Sequence, residues 1–255
     1  MFPFIHIFGR DISSYGVCLI AAVMCCAFLA WRKGRSQGLL FEDLAIVGAF
    51  AVGLGMFGGS LLYVIVSYTP AQIAAFIKAG NFVFLGSGIV FYGGLIGGIC
   101  GALLGIKVAG CRFDTVVRTV VPFVPLGHAI GRVGCVLAGC CHGFAYEGPF
   151  AIYYPDSVLG LSPEQGYFPV QILESVINVG LCCILLWYEK RTKRAKNVMF
   201  AYIGAYAACR FFLELLRGDE GRGIYFTFST SQIISIVLLS ISTIGLLREN
   251  RITKK

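Results

Sequence analysis

The sequence has few charged residues: Asp, Glu, Lys and Arg together make up only 13% of its 255 residues. An average globular chain carries roughly 25%. This shortage excludes a soluble enzyme, a disordered chain and a small secreted module stapled by disulfides. Internal repeats, low-complexity segments and any stretch with the composition of a soluble domain are also lacking. The sequence therefore predicts a single integral membrane domain over residues 1–255.

A removable signal peptide is not predicted at the start of the chain. The positive charge there, at Arg32, Lys33 and Arg35, follows the first apolar stretch instead of preceding it. No cleavage site of two small residues stands out before Trp31. We therefore expect this stretch to remain in the protein as its first membrane span.

Apolar residues are abundant and make up 57% of the chain. A helix needs about 20 residues to cross a hydrocarbon core of about 30 Å. Seven apolar runs are long enough: Ser13–Trp31, Leu44–Tyr68, Val83–Ala109, Val116–Leu137, Pro169–Tyr188, Val198–Leu216 and Ser229–Leu247. The run Ala71–Ala79 is shorter, and we expect it at the membrane interface. The predicted fold is an all-α membrane protein with seven transmembrane helices.

Basic residues are distributed unevenly over the connections between these runs. Fifteen of the 21 Lys and Arg residues lie in alternate connections and in the tail: Arg32, Lys33, Arg35, Lys107, Arg112, Arg118, Lys190, Arg191, Lys193, Arg194, Lys196, Arg248, Arg251, Lys254 and Lys255. The connection over residues 138–168 has no Lys or Arg. Because loops rich in Lys and Arg stay in the cytoplasm, the N-terminus is predicted outside, the C-terminus in the cytoplasm and residues 138–168 at the outer face. The net charge of +8 thus reflects topology and indicates no nucleic-acid partner.

Charged residues well inside the apolar runs need a partner or a function, because an ionised side chain there costs at least about 2.5–3.5 kcal/mol. Arg210 and Glu214 are four residues apart on one helix face, Arg132 lies in another run, and the polar segment Pro169–Glu174 opens the fifth run. One interpretation is an internal ion pair that allows the helix to insert, with Arg217 reaching the headgroups. The other is that Glu214 orients Arg210, and that both arginines bind a lipid phosphate through their planar guanidinium groups.

Cys135, Cys140 and Cys141 lie near His142 at the predicted outer face. Vicinal cysteines rarely bind one ion comfortably, and the sequence has no second CxxC or HxxxH pair to complete a site. We therefore expect no metal and no cofactor. A vicinal disulfide, a simple lining of a cavity, and reactive thiols whose pKa is lowered by neighbouring arginines remain alternatives.

Tyr92 precedes a glycine-rich segment that contains Gly93, Gly94, Gly97 and Gly98. Glycines allow a neighbouring helix or a lipid tail to approach the backbone closely. Helix packing and a lipid site therefore both remain possible at this segment. Packing is favoured more clearly for four glycines of the second run, Gly53, Gly55, Gly58 and Gly59.

With these motifs, the sequence resembles the prolipoprotein diacylglyceryl transferase family over essentially the whole chain. Tyr92-Gly93-Gly94-Leu95-Ile96-Gly97 occupies the place of a family motif, and Gly131-Arg132-Val133-Gly134 opens the family signature, which Gly143 closes at the expected distance. The other matching segments are Tyr15-Gly16, Pro169-Val170-Gln171, the pattern of Tyr206, Arg210, Glu214 and Arg217, and Ser231-Gln232-Ile233.

The resemblance implies an enzyme of the bacterial cytoplasmic (inner) membrane. Its substrates would be phosphatidylglycerol and the lipobox cysteine of a prolipoprotein signal peptide, and its products a diacylglyceryl thioether and glycerol phosphate. Arg132 and Arg210 would stabilise the phosphate, and Tyr92 would donate a hydrogen bond or relay a proton. The implied substrate-binding residues are Tyr15, Gly93, Gly94, Cys135, Cys140, Gly143, Gln171, Tyr206, Glu214 and Arg217.

The chain departs from the family pattern at several polar positions. Tyr92 and Phe168 replace histidines, and Cys135, Ala138 and Cys140 replace two asparagines and an acidic residue. These changes leave two alternatives open: a paralogue with another acceptor, and a lipid-binding protein without catalysis. A small-anion transporter is a third alternative, because buried arginines also line anion pathways. A thiol-redox role of the three cysteines is a fourth.

Overall fold

The computed structural model describes residues 3–7, 9–86, 88–155, 161–192, 194–218, 224–225 and 228–253. The α-helices in these ranges are α1 (Ser14–Arg35), α2 (Phe41–Ser67), α3 (Pro70–Lys78), α4 (Phe91–Val108), α5 (Phe113–Val120), α6 (Val124–Ala138), α7 (Val170–Arg191), α8 (Ala195–Leu213) and α9 (Thr230–Thr253). Short antiparallel hairpins pair β1 (Phe4–Ile7) with β2 (Arg10–Ser13), β3 (Ile152–Tyr153) with β4 (Gly166–Tyr167), and β5 (Ile224–Tyr225) with β6 (Phe228–Ser229).

Seven helical segments within these ranges are long and apolar enough to cross a membrane. Each overlaps one of the seven predicted runs, which confirms the all-α class and the number of candidate spans. Large apolar side chains are exposed along each of them, for example Met24 (67%), Val66 (65%) and Phe212 (66%). Such large apolar surfaces are unusual in soluble monomers and fit contact with lipid. The orientation of the two termini stays a prediction.

The third span begins later than the sequence predicted. Its apolar run starts at Val83, but α4 begins at Phe91, because Val83–Gly86 forms a separate 3-10 turn. The Phe84 ring of this turn stacks on Phe76 of α3 with ring centroids 5.2 Å apart. The short run that we expected at the interface forms α3, whose start is fixed by the Thr69 side chain, which accepts a hydrogen bond from the backbone N–H of Gln72.

The chain divides into two compact units, one made of residues 1–30 and 117–255, the other of residues 31–116. The single domain predicted from composition therefore stays a prediction. The connection predicted at the outer face, residues 138–168, lies in the first unit. Its residues 156–160 are outside the described ranges, and the remainder includes the antiparallel pair of β3 and β4 before the chain reaches α7.

In the first unit, α6 packs on α7, α7 on α8, and α8 on α9. α1 lies against α6, where a Cβ atom on Gly134 would stand only 2.9 Å from the Cβ atom of Cys18. At the C-terminal end of α7, the Arg118 Nε donates to Glu189 Oε1 at 2.8 Å, and the Arg118 Nη1 donates to the Thr192 carbonyl at 3.0 Å. Arg118, one of the basic residues used above to predict the topology, thus also stabilises the end of this helix.

In the second unit, α2 and α4 pack backbone to backbone through glycines. A Cβ atom added to Gly97 would lie 2.1 Å from the Leu54 carbonyl oxygen, and one added to Gly93 would lie 2.3 Å from that of Gly58. The structure therefore shows the packing alternative at Gly93. The prediction for Gly53 was wrong, because no described atom lies within 4 Å of a Cβ built at that position.

Gly101→Ala should destabilise this helix pair. The added Cβ would lie 2.2 Å from the Phe50 carbonyl oxygen, and overpacking of this kind costs about 1–3 kcal/mol. We expect a lower midpoint of thermal unfolding in detergent. Gly53→Ala is the matched control on the partner helix and should leave the midpoint unchanged or slightly raised. Equal midpoints for the two variants would contradict the packing described here.

Candidate active site

Charged side chains from three helices of the first unit meet at one end of those helices. Arg132 lies six residues, about 9 Å, before the end of α6, and Arg210 lies in the last turn of α8. Glu174 is the fifth residue of α7. Because neighbouring helices in this unit run in opposite directions, the ends of α6 and α8 stand beside the start of α7. The topology therefore places these three side chains together.

Glu174 is the centre of this cluster. Its Oε2 lies 3.0 Å from Arg132 Nε and 4.0 Å from Arg210 Nη1, and its Oε1 lies 3.4 Å from His128 Nε2. The Glu174 side chain is only 3% exposed to solvent, and the side chains of both arginines are 13% exposed. The two arginines thus converge on one carboxylate oxygen, as a phosphate-binding pair would need to do.

Glu214 holds Arg210 from the other side. Its Oε2 lies 2.7 Å from Arg210 Nη2, which confirms the pair predicted from the four-residue spacing. The same Nη2 donates to Ser231 Oγ of α9 at 3.2 Å. α8 ends at Leu213, so Glu214 already belongs to a 3-10 turn. Arg210 is therefore fixed by groups from three helical segments.

The two arginines and two glutamates carry no net charge together. This balance allows four ionised groups to be buried, because each charge has a partner within ion-pair distance. Arg210 Nη1 is buried without a hydrogen-bond acceptor among the described residues. A buried donor without an acceptor costs free energy, which an incoming anionic oxygen would recover.

The aromatic side of the cluster contains His128 and Tyr206. Their ring centroids are 5.3 Å apart, and Tyr206 also lies 6.0 Å from the ring of Tyr202. Tyr15 reaches α6 from the first turn of α1, since a Cβ atom on Gly134 would stand 3.2 Å from its ring. The structure thus brings two of the predicted tyrosines, Tyr15 and Tyr206, to the helix that carries Arg132.

The cysteine loop, residues 139–142, follows directly after α6. Gly139 ends the helix with a left-handed φ of 74°. The backbone N–H of Cys140 donates to the Cys135 carbonyl at 3.1 Å, and Cys141 has a positive φ of 56°, which is uncommon for a residue other than glycine. As a result, the sulfurs of Cys135, Cys140 and Cys141 all lie within 4.8 Å of one another.

The electrostatics of this loop favour a thiolate at Cys141. Arg132 Nη1 lies 3.9 Å from the Cys135 sulfur, so the loop borders the charged cluster. The pKa of the Cys141 thiol lies below its ordinary value, because hydrogen bonds with the Cys135 and Cys140 side chains and the positive charges of Arg217 and Arg132 stabilise its thiolate. The His142 ring is buried against Tyr167, with centroids 4.5 Å apart, and its Nδ1 is 2.9 Å from the Gly143 carbonyl oxygen.

Gly143 connects three segments of the chain. Its N–H donates to the Phe168 carbonyl at 3.1 Å, and it forms a β-bridge with Arg217. A Cβ atom at this position would lie 2.4 Å from the Phe168 carbonyl oxygen and 3.0 Å from that of Leu216. Only glycine fits there without displacing the backbone, so the predicted residues Gly143 and Arg217 have a structural role whatever they bind.

Gln171 is fully buried and holds the cysteine loop in place. Its Nε2 donates to the Cys140 carbonyl at 2.8 Å and to the Tyr154 hydroxyl at 3.0 Å. Tyr154 is also fully buried, and this burial raises the pKa of its hydroxyl. The contacts of Gln171 with protein groups explain its position, and its role in binding substrate stays a prediction.

Three of the predicted site residues belong to the second unit. Tyr92 lies in the first turn of α4, and the centroid of its ring is 5.7 Å from that of Phe91. Gly93 and Gly94 follow it in the same turn. Their participation in catalysis and lipid binding stays a prediction.

Sequence reasoning did not assign a site role to Glu174 or His128. A signal for Glu174 was available, because it is an acidic residue inside an apolar run and so needed a partner. The sequence did not indicate which helix would supply that partner. His128 precedes Arg132 by four residues on α6 and could have been placed on the same face by helical spacing.

Comparison with known proteins shows one consistent family. The sequence profile described as prolipoprotein diacylglyceryl transferase matches residues 3–248. Phosphatidylglycerol–prolipoprotein diacylglyceryl transferase 2 of Clostridium perfringens is 35% identical over 234 residues, covering 92% of this chain and 90% of that protein. The phosphatidylglycerol–prolipoprotein diacylglyceryl transferase of Clostridium tetani is 32% identical, covering 92% of each chain, and that of Clostridioides difficile is 30% identical, covering 84% and 82%.

Replacing Glu174 should destabilise the protein, because both buried arginines would lose their shared counter-charge. Breaking a buried ion pair from one side costs about 3–5 kcal/mol. We expect Glu174→Gln to lower the midpoint of thermal unfolding in detergent by a corresponding amount. The exposed Glu147 supplies the control, and Glu147→Gln should change stability by less than about 0.5 kcal/mol. If Glu174→Gln unfolds at the wild-type temperature, the carboxylate does not have the structural role assigned here.

Proposed function

Because this chain belongs to the prolipoprotein diacylglyceryl transferase family, we propose that it transfers a diacylglyceryl group from phosphatidylglycerol to the cysteine of a prolipoprotein. The acceptor is the thiol of the lipobox cysteine in the signal peptide, and the enzyme acts in the bacterial cytoplasmic (inner) membrane. It is a transferase, and its family membership favours this function over a transporter or a protein without catalysis.

The convergence of Arg132 and Arg210 on one oxygen of Glu174 carries the proposal for the phosphate site. Two guanidinium groups held this close can bind two oxygens of one phosphate, and arginine stays charged even when buried. Glu174 contacts the Nε of Arg132, whereas the terminal Nη1 of Arg132 lies 3.9 Å from the Cys135 sulfur. We therefore assign the terminal nitrogens of Arg132 and the Nη1 of Arg210 to the lipid phosphate.

This arrangement suits the change in charge during the reaction. The acceptor sulfur forms a bond to the glyceryl carbon, the bond from that carbon to the phosphate oxygen breaks, and the thiol proton is lost. The phosphate leaves as glycerol phosphate and gains a second negative charge on the way. Donors that are already in place where charge develops usually make the largest contribution to catalysis. Glu174 and Glu214 fix the two guanidinium groups before the substrate binds, which makes them positioning residues.

Tyr15 and Tyr206 support the headgroup in this proposal. Both reach α6 at or near the level of Arg132, and each has a hydroxyl that can donate a hydrogen bond to a phosphate or glycerol oxygen. Gly143, Arg217 and Gln171 shape the rim of the site through the contacts described above. Tyr92 is proposed as a hydrogen-bond donor or a proton relay.

A transfer assay tests the phosphate site. Purified protein with labelled phosphatidylglycerol and a lipobox peptide should form thioether-linked diacylglyceryl peptide. Arg132→Lys and Arg210→Lys keep the positive charge but lose the bidentate contact with the phosphate. Each should lower kcat by about 100-fold, which is the usual effect in other enzymes of removing one hydrogen-bond donor to the transition state. Arg251→Lys, at an exposed position near the end of α9, is the control and should keep wild-type kcat. The absence of product from wild type would exclude the function, and full activity of Arg132→Ala would exclude the site.

The proposed orientation places the N-terminus and residues 138–168 outside and the C-terminus in the cytoplasm. Reporter fusions test this topology independently of activity. A fluorescent protein that matures only in the cytoplasm, fused after Lys255, should be bright. Alkaline phosphatase, which folds only outside the cytoplasm, should be active when inserted at Gly148 and inactive after Lys255. The inverse pattern would show that the distribution of Lys and Arg was misinterpreted.

A further inference from the structure

The three clustered sulfurs of Cys135, Cys140 and Cys141 form a possible ligand set beside the phosphate site. We propose that they bind one thiophilic divalent cation of the Zn²⁺ type, and that the acceptor thiol takes the fourth coordination position. The binding of the ion is independent of the function proposed above, whereas the role of the fourth position rests on it. This differs from our expectation from the sequence, which was that no metal binds.

The backbone of the cysteine loop removes the objection to vicinal ligands. In a regular helix, consecutive side chains point about 100° apart, so two neighbouring cysteines face different directions. Here Gly139 ends the helix, and the positive φ of Cys141 turns the chain within the vicinal pair. Both sulfurs therefore stand next to that of Cys135, which lies in the last turn of α6. Backbone strain at a residue other than glycine is a frequent sign of a functional site.

The sulfur spacing fits coordination after small side-chain rotations. Zinc binds sulfur at about 2.3 Å, so two sulfurs of one tetrahedral ion stand about 3.8 Å apart. The three sulfurs here lie within 4.8 Å of one another. Rotation about the Cα–Cβ bonds moves a sulfur by more than the difference, so the backbone need not change.

The charges around the loop balance a metal–thiolate group. Three thiolates and one divalent cation carry a net charge of −1, which needs a positive neighbour in a partly buried place. Arg132 Nη1 supplies one at 3.9 Å from the Cys135 sulfur. Arg217 is paired through its backbone with Gly143, immediately beyond the loop, and adds a second.

The ligand set of three thiolates selects for a soft ion and leaves one position open. Thiolates favour zinc and copper(I) over magnesium or calcium. Among the His, Cys, Asp and Glu residues of the described ranges, these three cysteines alone make up the group, and the His142 Nδ1 faces the Gly143 carbonyl oxygen at 2.9 Å. Zinc with three protein ligands and one open position is the arrangement found in catalytic sites.

An open position next to the arginines gives the ion a use in thiol transfer. A thiol that coordinates zinc loses its proton outright, which yields the nucleophile needed at neutral pH. The ligand thiols release their protons to solvent when the ion binds, and the acceptor thiol releases its own when it coordinates. The acceptor sulfur would then be held beside Arg132, where the phosphate leaves. Coordination would generate the thiolate without a separate general base.

Metal content tests the site directly. The full-length protein is purified in detergent with a phosphine reductant, equilibrated with Zn²⁺ and washed, and its zinc is measured by mass spectrometry. We expect about one zinc per chain in wild type and less than a tenth of that in Cys140→Ser/Cys141→Ser. Cys182→Ser/Cys183→Ser is the matched control, because that vicinal pair lies within regular α7, and it should retain the full amount.

The variants must remain folded for this comparison to hold. Thermal unfolding in detergent checks this, and the single variant Cys141→Ser replaces the double variant if the latter unfolds. Equal zinc in the Cys140/Cys141 variant and in wild type would overturn the proposal, as would the absence of zinc from reduced wild type. Neither result affects the transfer assay with Arg132→Lys, so a failed metal site is distinguishable from a failed transferase.

Cobalt and pH test the fourth position. Co²⁺ in a thiolate site absorbs visible light in bands that change with its ligands. A lipobox peptide with cysteine should change these bands, and the same peptide with serine should not. Removing the metal should lower transfer about 30-fold at pH 7 and by much less at pH 9, because a free thiol of pKa about 8.5 is only about 3% ionised at pH 7. Identical spectra with the two peptides, or a loss of activity independent of pH, would overturn the role of the fourth position.

Discussion

The rest of the site depends on the single carboxylate of Glu174. It is buried on α7 between the helices that carry Arg132 and Arg210, and one of its oxygens is near both guanidinium groups. Two arginines would otherwise repel each other at this distance in a medium of low dielectric constant. Their attraction to a common anion fixes the spacing of three helices at one end. Glu174 contacts the Nε of Arg132, and the Arg132 Nη1 lies 3.9 Å from the Cys135 sulfur.

Around this charged centre, the backbone determines what each segment can contribute. The left-handed Gly139 ends α6, Cys141 turns the following residues inward, and Gly143 leaves room for the segments that contain Phe168 and Leu216. Of these positions, Gly143 closes the segment that resembles the family signature. Within that segment, Cys135 and Cys140 replace an asparagine and an acidic residue of the family pattern. The charged cluster thus lies beside a group of three sulfurs.

The sequence was sufficient for the features that depend on local periodicity. The seven spans follow from apolar run length, and the Arg210–Glu214 pair follows from a four-residue spacing on one helix. The part played by Glu174 did not follow, because no local pattern shows which helices become neighbours. The packing of Gly58 against Gly93 was open for the same reason. The sulfur cluster depends on one backbone angle at Cys141, which the residue type itself disfavours.

The position of each arginine relative to its counter-charge has a consequence for how the chain enters the membrane. Arg210 and Glu214 are made together, so α8 can partition into lipid as an almost neutral segment. Helix α6 contains no acidic residue that could pair with Arg132. Its counter-charge, Glu174, lies in the next helix and is synthesised later. Because synthesis proceeds from the N-terminus, α6 is made before the helix that carries its counter-charge. The ion pair with Glu174 lowers the cost of burying Arg132 once α7 has packed against α6.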